Sequence, residues 1–469
     1  MLFNSLVFIV FSLVFFCLWP LFKKKDTPRW FFLSLMSFIF YGWWDWRFLF
    51  LLIGSGLIDF YAGLLIERYP KHKVLFLILS MTGNIGTLFA FKYSGFFAEN
   101  ASVMLSFFGY DIDLKSSIPD FVRVLPVGIS FYTFQSMSYT IDIYKGELKP
   151  TSNVLHFFAY LALFPQLVAG PIVRAADLLP QMVGIPKTTE SVRWEGFVLI
   201  AKGFFKKMVI ADNLAPLVAS GFNDPSHPSS TFYWWFYVSA FAFQIYGDFS
   251  GYSDIARGLA KWMGYDFMVN FNHPYSSKSL KEFWSRWHIS LSTWFRDYVY
   301  IPLGGSRCGK WHSTFNMFLT MVISGFWHGA NWTFILWGAF HGFMLGVERI
   351  TKWPQRLQKI PLGGTFCTII VIIQVLVGWV FFRSKDVHEA FFILNCMFIP
   401  QGSIVNFAHS GILILSLIIG REIYVRYNIS RLLSFTKNNV VYEIVFFACI
   451  MAAIIFFRGQ GNSFIYFQF

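Results

Sequence analysis

The chain has 469 residues, of which 56% are hydrophobic and 13% charged, with 60 Phe and 18 Trp, and its mean hydropathy is +0.52. Soluble domains carry about 25% charged residues, so this composition excludes an ordinary soluble protein and points to an all-α, polytopic membrane chain. The net charge of +13 gathers in short turns between apolar runs, which fits membrane orientation and contact with anionic lipid rather than nucleic-acid binding.

Apolar runs follow one another along the chain: Leu2–Phe22, Trp30–Phe40, Phe48–Ile66, Val74–Phe91, Phe232–Tyr246, Phe315–Val347, Thr368–Phe382, Ile412–Ile419 and Val440–Phe457. The longer ones reach the roughly 20 residues that cross a bilayer as a helix. They predict one integral domain over residues 1–469, with about ten or more spans. The first run lacks a basic leader and a small-residue cleavage pattern, so it is expected to remain as the first helix. The turns Lys23–Arg29, Glu67–Lys73 and Glu348–Lys359 are basic, whereas Glu99–Asp120 is acidic and Phe222–Ser230 holds no Lys or Arg. The positive-inside rule then places the basic turns in the cytoplasm and the N-terminus outside. Cys17, Cys308, Cys367, Cys396 and Cys449 are scattered, so neither a disulfide framework nor a metal site is expected.

Three segments break the apolar pattern. Leu125–Tyr144 is span-length but carries Ser130, Thr133, Gln135, Ser136, Ser138 and Thr140, and Phe164–Pro171 adds two prolines and a glycine. Between Gln244 and Gly305 the chain is too polar to span lipid and too aromatic for a solvated loop. There Trp284, Trp287, Leu291, Trp294 and Tyr298 fall on one helical stripe opposite Arg286, Ser290, Thr293 and Asp297, which predicts an amphipathic helix along the membrane surface. The 33-residue run Phe315–Val347 would measure about 50 Å as one helix, so it must bend, tilt or turn. Gly325 and Gly329 bracket the place.

Inside that bracket, "GFWHGANW" sets His328 beside Trp327 and Asn331. An ionisable group at membrane depth is costly and usually functional, and irregular backbone there must face protein or a cavity. His328 is therefore expected on an internal cavity. His288, at the edge of the interfacial stripe, is as readily a packed ring at a helix surface. His72, His156 and His227 lie in or beside loops, and His341 reads as a helix-packing residue. Asp248 and Asp254 in "DFSGYSD" are expected to hold the fold by pairing with buried arginines.

The segment "FWSRWHISLSTWFRDYVYIPLGG" followed by "SGFWHGANWTFILWGAFHG", together with "LPVGISFYTFQSMSYTIDIY", "FPQLVAGPIVR", "NFNHPY" and "WVFFR", resembles the membrane-bound O-acyltransferases. The likeness is strongest to their bacterial polysaccharide-acetylating branch. It departs at Ser285, where that branch often has a second arginine, and at Gly247. The resemblance implies a ring of about 11 transmembrane helices around a central tunnel, with broken, re-entrant and interfacial helices and a catalytic core over about residues 120–345. It marks His328 as the catalytic histidine and His288 as the second motif histidine. It also implies a cytoplasmic thioester donor, acetyl-CoA, whose acetyl group crosses the bacterial inner membrane to alginate, peptidoglycan or another glycan. A periplasmic partner of the SGNH-hydrolase type would complete delivery.

That chemistry asks for a base to take the hydroxyl proton and donors for the oxyanion. A desolvated, neutral His328 is suited to accept the proton; a covalent acyl-histidine is the alternative. Arg286, Lys278 and Lys281 are placed to meet CoA phosphates, and equally to be solvated charges. Trp327, Trp284, Trp287, Asn331 and Gln135 are candidates to line the substrate path. A transporter or flippase, a scaffold without chemistry, and a D-alanyl transferase of the same family are the competing readings. A transporter more readily shows an internal repeat, and none is evident.

Overall fold

The computed structural model describes residues 1–224, 228–400, 402, 440–461 and 464–465. The expected run Ile412–Ile419 and His227 lie outside these residues. Helices and their connections account for the described chain, and no strand occurs in it. Among the described residues, three helices are long and apolar enough to cross a membrane: Arg47–Arg68, Pro70–Phe107 and Gly363–Arg383. Leu6–Phe22, Val387–Phe398 and Phe447–Phe456 are apolar but shorter. The chain forms two compact units, residues 1–200 with 255–268, and residues 201–254 with 269–469.

The first unit contains α1 (Leu6–Phe22), α2 (Asp26–Gly42), α3 (Arg47–Arg68), α4 (Lys73–Leu88), α5 (Ser94–Phe107), α6 (Asp120–Arg123), α7 (Ile129–Lys145), α8 (Val154–Leu161), α9 (Phe164–Leu167) and α10 (Ala175–Leu178). A π turn, Phe89–Tyr93, joins α4 to α5. In lipid the tails are as apolar as leucine, so helices associate by close packing and by hydrogen bonds rather than by hydrophobic burial. The serines and threonines that interrupt α7 supply such bonds. Asp59 on α3 is fully buried. It accepts from the Ser80 hydroxyl and the Asn84 amide of α4, and from the Ser136 and Thr140 hydroxyls of α7, with Asn84 at 2.8 Å and Thr140 at 2.9 Å. Ser55 adds a bond to Asn84 Oδ1 at 2.9 Å. One carboxylate thus ties three helices together.

The α11 helix (Glu190–Phe204) leads by a π turn, Phe205–Ala211, to α12 (Asp212–Phe222), and α13 (Thr231–Met263) follows. The rest of the second unit comprises α14 (Leu280–Trp284), α15 (Ile289–Phe295), α16 (Lys310–His328), α17 (Trp332–Thr351), α18 (Trp353–Leu357), α19 (Gly363–Arg383), α20 (Val387–Phe398) and α21 (Val440–Phe456). The over-long run does not bend; it turns back completely, α16 and α17 pack side by side, and His328 is the last residue before the turn. Gly325 and Gly329 serve contact rather than backbone freedom. A Cβ at Gly325 would collide with the Phe334 carbonyl oxygen, one at Gly329 with the Phe334 ring, and one at Gly338 with the Met321 carbonyl oxygen. Small residues at this seam let the two backbones approach closely.

The single amphipathic helix expected across Trp284–Tyr298 is not formed. It breaks into α14 and α15 at His288, whose φ of 41° is left-handed. Nor does its aromatic stripe face lipid: Trp287, Leu291 and Trp294 are buried in the protein. The break is held from outside, because the Ile289 N–H donates to the Asn270 carbonyl and the Asn272 N–H to the Arg286 carbonyl, both at 2.9 Å. Those ties substitute for the intrahelical bonds that a continuous helix would make.

Candidate active site

His328 is 5% exposed. Its ring stands edge-on to Trp327, Trp337 and Phe382 at centroid separations of 5.0, 4.9 and 5.3 Å. Trp327 is shared, since its ring also lies 6.4 Å from His288. The two histidines singled out by sequence are therefore both brought against one indole.

His288 is buried, against Phe249 at 4.6 Å. Its Nδ1 lies 3.3 Å from Asn270 Oδ1. That oxygen also accepts from the Ser290 backbone N–H at 3.2 Å and the Ser290 hydroxyl at 2.9 Å. A backbone N–H can only donate, so the Asn270 atom facing it is oxygen, and His288 Nδ1 must carry the proton. Nε2 is then the acceptor nitrogen of the neutral ring. Sequence reasoning missed Asn270 and Ser290 as the groups that set this tautomer. The run "NFNHPY", with a polar residue inside an aromatic stretch, was the available signal.

The motif "DFSGYSD" supports the same seat. Phe249 packs on His288, and the Ser253 hydroxyl accepts from Asn270 Nδ2 at 3.1 Å. Asp248 and Asp254 each pair with a lysine, where arginines were expected: Lys207 lies 2.9 Å from Asp248 and 2.8 Å from Asp212, and Lys206 lies 2.6 Å from Asp254. Both lysines project from the π turn, whose extra residue per turn sets neighbouring cations toward different carboxylates. The Ile465 N–H also donates to Asp248 at 2.7 Å.

A cavity of about 750 Å³ opens beside the hairpin. Apolar side chains of Trp284, Leu291, Phe295, Met317, Met321 and Leu345 line it, and Lys281, Arg296, Arg349 and Lys352 stand among its lining against one acidic group, Glu348. Helical spacing connects this cavity to His328. Met317, Met321 and Ser324 lie on one face of α16, and His328 continues that face at the next step. On α17, Glu348 and Leu345 line the cavity, with Lys352 just past the helix end, and His341, Trp337 and Phe334 continue the helical stripe toward the hairpin turn. Trp284 closes the inner end, edge-on to His341 at 5.2 Å and to Trp337 at 5.6 Å.

The remaining candidates divide. Lys281 and Trp284 line the cavity; Lys278 and Arg286 are not among its lining. The Lys278 N–H and the Arg286 guanidinium both engage Glu282 at 2.7 Å. Trp287 is buried, stacked on Phe283 and packed on Trp379. Asn331 caps α17 by accepting from Thr333 N at 3.0 Å, and its Nδ2 donates to the Lys385 carbonyl at 3.0 Å. Both ends of that amide are occupied by the fold. Gln135 sits on α7 in the first unit, where its buried side-chain amide has no hydrogen-bond partner among the described residues.

The family model described as MBOAT, membrane-bound O-acyltransferase family, matches residues 144–385. A probable alginate O-acetylase of Pseudomonas putida is 40% identical over 374 residues, covering 78% of this chain and 74% of that protein. The peptidoglycan O-acetyltransferase of Helicobacter pylori is 32% identical, covering 95% and 85%. The teichoic acid D-alanyltransferase of Streptococcus thermophilus is 31% identical over 50% of this chain. The chain belongs to the membrane-bound O-acyltransferase family, and it is a membrane protein and an O-acyltransferase.

Proposed function

We propose that the protein takes an acetyl group from acetyl-CoA on the cytoplasmic side and passes it through the bacterial inner membrane for O-acetylation of an envelope polysaccharide. In this reading about 11 helices ring a tunnel, the N-terminus is periplasmic, and an SGNH-hydrolase-like partner hands the acetyl group to the glycan. The names of two relatives, an alginate O-acetylase and a peptidoglycan O-acetyltransferase, support a polysaccharide as the final acceptor. The observation that carries the proposal is the continuous stripe from the basic lining of the 750 Å³ cavity to His328. Cations in the lining suit the phosphates of CoA, the apolar lining suits its pantetheine arm, and His328 continues the α16 face beyond the lining residues Met317, Met321 and Ser324.

The chemistry follows from those positions. His328 takes the proton of the attacking hydroxyl as its oxygen bonds to the thioester carbonyl carbon. The tetrahedral adduct then collapses, the C–S bond breaks, and the thiolate receives that proton. A positioned base of this kind contributes about 10²–10⁴-fold. His288, with Nε2 accepting, orients a donor such as the incoming hydroxyl rather than polarising the carbonyl. The test is His328→Ala, assayed with radiolabelled acetyl-CoA and by ester content of the isolated envelope polysaccharide. Acetyl transfer should fall at least about 100-fold while the protein stays in the membrane and monodisperse in detergent. Wild-type transfer by that variant would sink the proposal. A D-alanyl donor is the weaker reading, because the D-alanyl relatives align over only 50% and 56% of the chain.

A further inference from the structure

With His288 accepting through Nε2 and Asn331 tied into the fold, the thioester carbonyl still needs hydrogen-bond donors. His341, unused so far, is 1% exposed, and its Nδ1 has no hydrogen-bond partner among the described residues. The same holds for the indole N–H of Trp337, which is also 1% exposed, and for that of Trp284. Buried polar groups are nearly always paired, so each exception asks for an explanation. These three rings are not scattered. His341 lies 5.0 Å from Trp337 and 5.2 Å from Trp284, and Trp337 lies 4.9 Å from His328. Trp284 lines the cavity, and the ring contacts run from it through His341 and Trp337 to His328.

The fold gives up a side chain to seat this imidazole. A Cβ at Gly378 of α19 would collide with His341 Nε2. The Nε2 edge is thus set close against α19.

We propose that His341, together with the Trp337 indole N–H, binds the carbonyl oxygen of the acyl thioester and holds the negative charge that oxygen gains when the hydroxyl adds. This rests on the reading of His328 as the base and of the 750 Å³ cavity as the donor site. As the new C–O bond forms, the carbonyl π electrons move onto oxygen; they return as the C–S bond breaks, and the two N–H donors keep their protons throughout. Donors fixed in a dry site need no reorganisation at that moment, which is the source of their advantage over water.

The test uses the full-length protein in proteoliposomes with radiolabelled acetyl-CoA and the cell's own envelope polysaccharide. His341→Phe keeps a ring of similar bulk without a donor, and kcat is expected to fall about 100- to 1,000-fold with KM for acetyl-CoA nearly unchanged. His341→Gln, which restores an N–H, should recover at least about ten-fold of that loss. Trp337→Phe should lower kcat about ten-fold. Equal activity of the Phe and Gln variants at position 341, or a change confined to KM, would show that the ring only packs and would overturn the inference. If both position-341 variants fail to fold, Trp337→Phe decides alone. Its reduced kcat at unchanged KM supports the proposal, and its wild-type kcat overturns it. His328→Ala separates the layers: its inactivity beside an active His341→Phe defeats only this inference, whereas an active His328→Ala defeats the reading beneath it.

Discussion

Asp59 and His341 are both buried, titratable side chains on helices of a membrane protein, and their surroundings are opposite. Asp59 accepts hydrogen bonds from four side chains on two neighbouring helices. His341 has aromatic edges and a glycine around it, and its Nδ1 bonds to nothing among the described residues. A polar group whose bonds are all made by the fold is part of the fold. One whose bonds are left open at the end of a cavity is arranged for a visitor. The cost of leaving a buried group unpaired, about 1–3 kcal/mol, is tolerated where chemistry returns it.

The comparison can be broken most severely at Asp59. Asp59→Ala should strand the Ser80, Ser136 and Thr140 hydroxyls and remove one of the Asn84 amide's bonds, costing about 3 kcal/mol or more. Thermal unfolding in detergent should show it, with activity per folded molecule unchanged. Normal stability with lost activity would instead move Asp59 into the chemistry. Next comes Asn270→Ala, which removes the acceptor that fixes the His288 tautomer. It should lower kcat about 10- to 100-fold, by analogy with the loss of partners that orient ligating histidines. A change in acetyl-CoA KM alone would mean that His288 is not near the reacting atoms. A smaller effect is expected from Arg349→Gln with Lys352→Gln at the cavity's basic lining. KM for acetyl-CoA should rise several-fold, and the difference from wild type should shrink in high salt as screening replaces the lost charges. The smallest is Lys278→Ala, expected within about two-fold of wild type because an exposed cation outside the cavity contributes little; a large rise in KM would extend the donor site to α14.

Much of this was legible in the residues and some was not. Composition marked the membrane class, and the excess length of Phe315–Val347 marked a place where the helix could not continue. Length required a bend, a tilt or a turn, Gly325 and Gly329 marked the place, and the structure resolves it as a turn directly after His328. What the glycines do there was misread, since in sequence a glycine that permits a bend and one that permits contact look alike. The break at His288 left no local trace, because a left-handed histidine is imposed by Asn270 and Asn272, which bond across it. The lysine partners of Asp248 and Asp254 were hidden for a related reason: they lie more than 40 residues away, on a π turn whose register helical periodicity does not describe. His341 was expected to pack, as its ring does against Trp284 and Trp337, but spacing alone does not reveal that its Nδ1 has no partner among the described residues.

The seam between α16 and α17 has a mechanical consequence. Glycines on both helices bring the backbones together, so the hairpin behaves as a stiff prong with His328 at its tip. A stiff prong has no room to retreat or swing toward a partner. In the proposed reaction the imidazole is then a stationary anvil, and thioester and hydroxyl must each travel to it. Turnover in such a machine is governed by the traffic of its substrates, and lengthening or loosening the prong should slow it even with every reactive group in place.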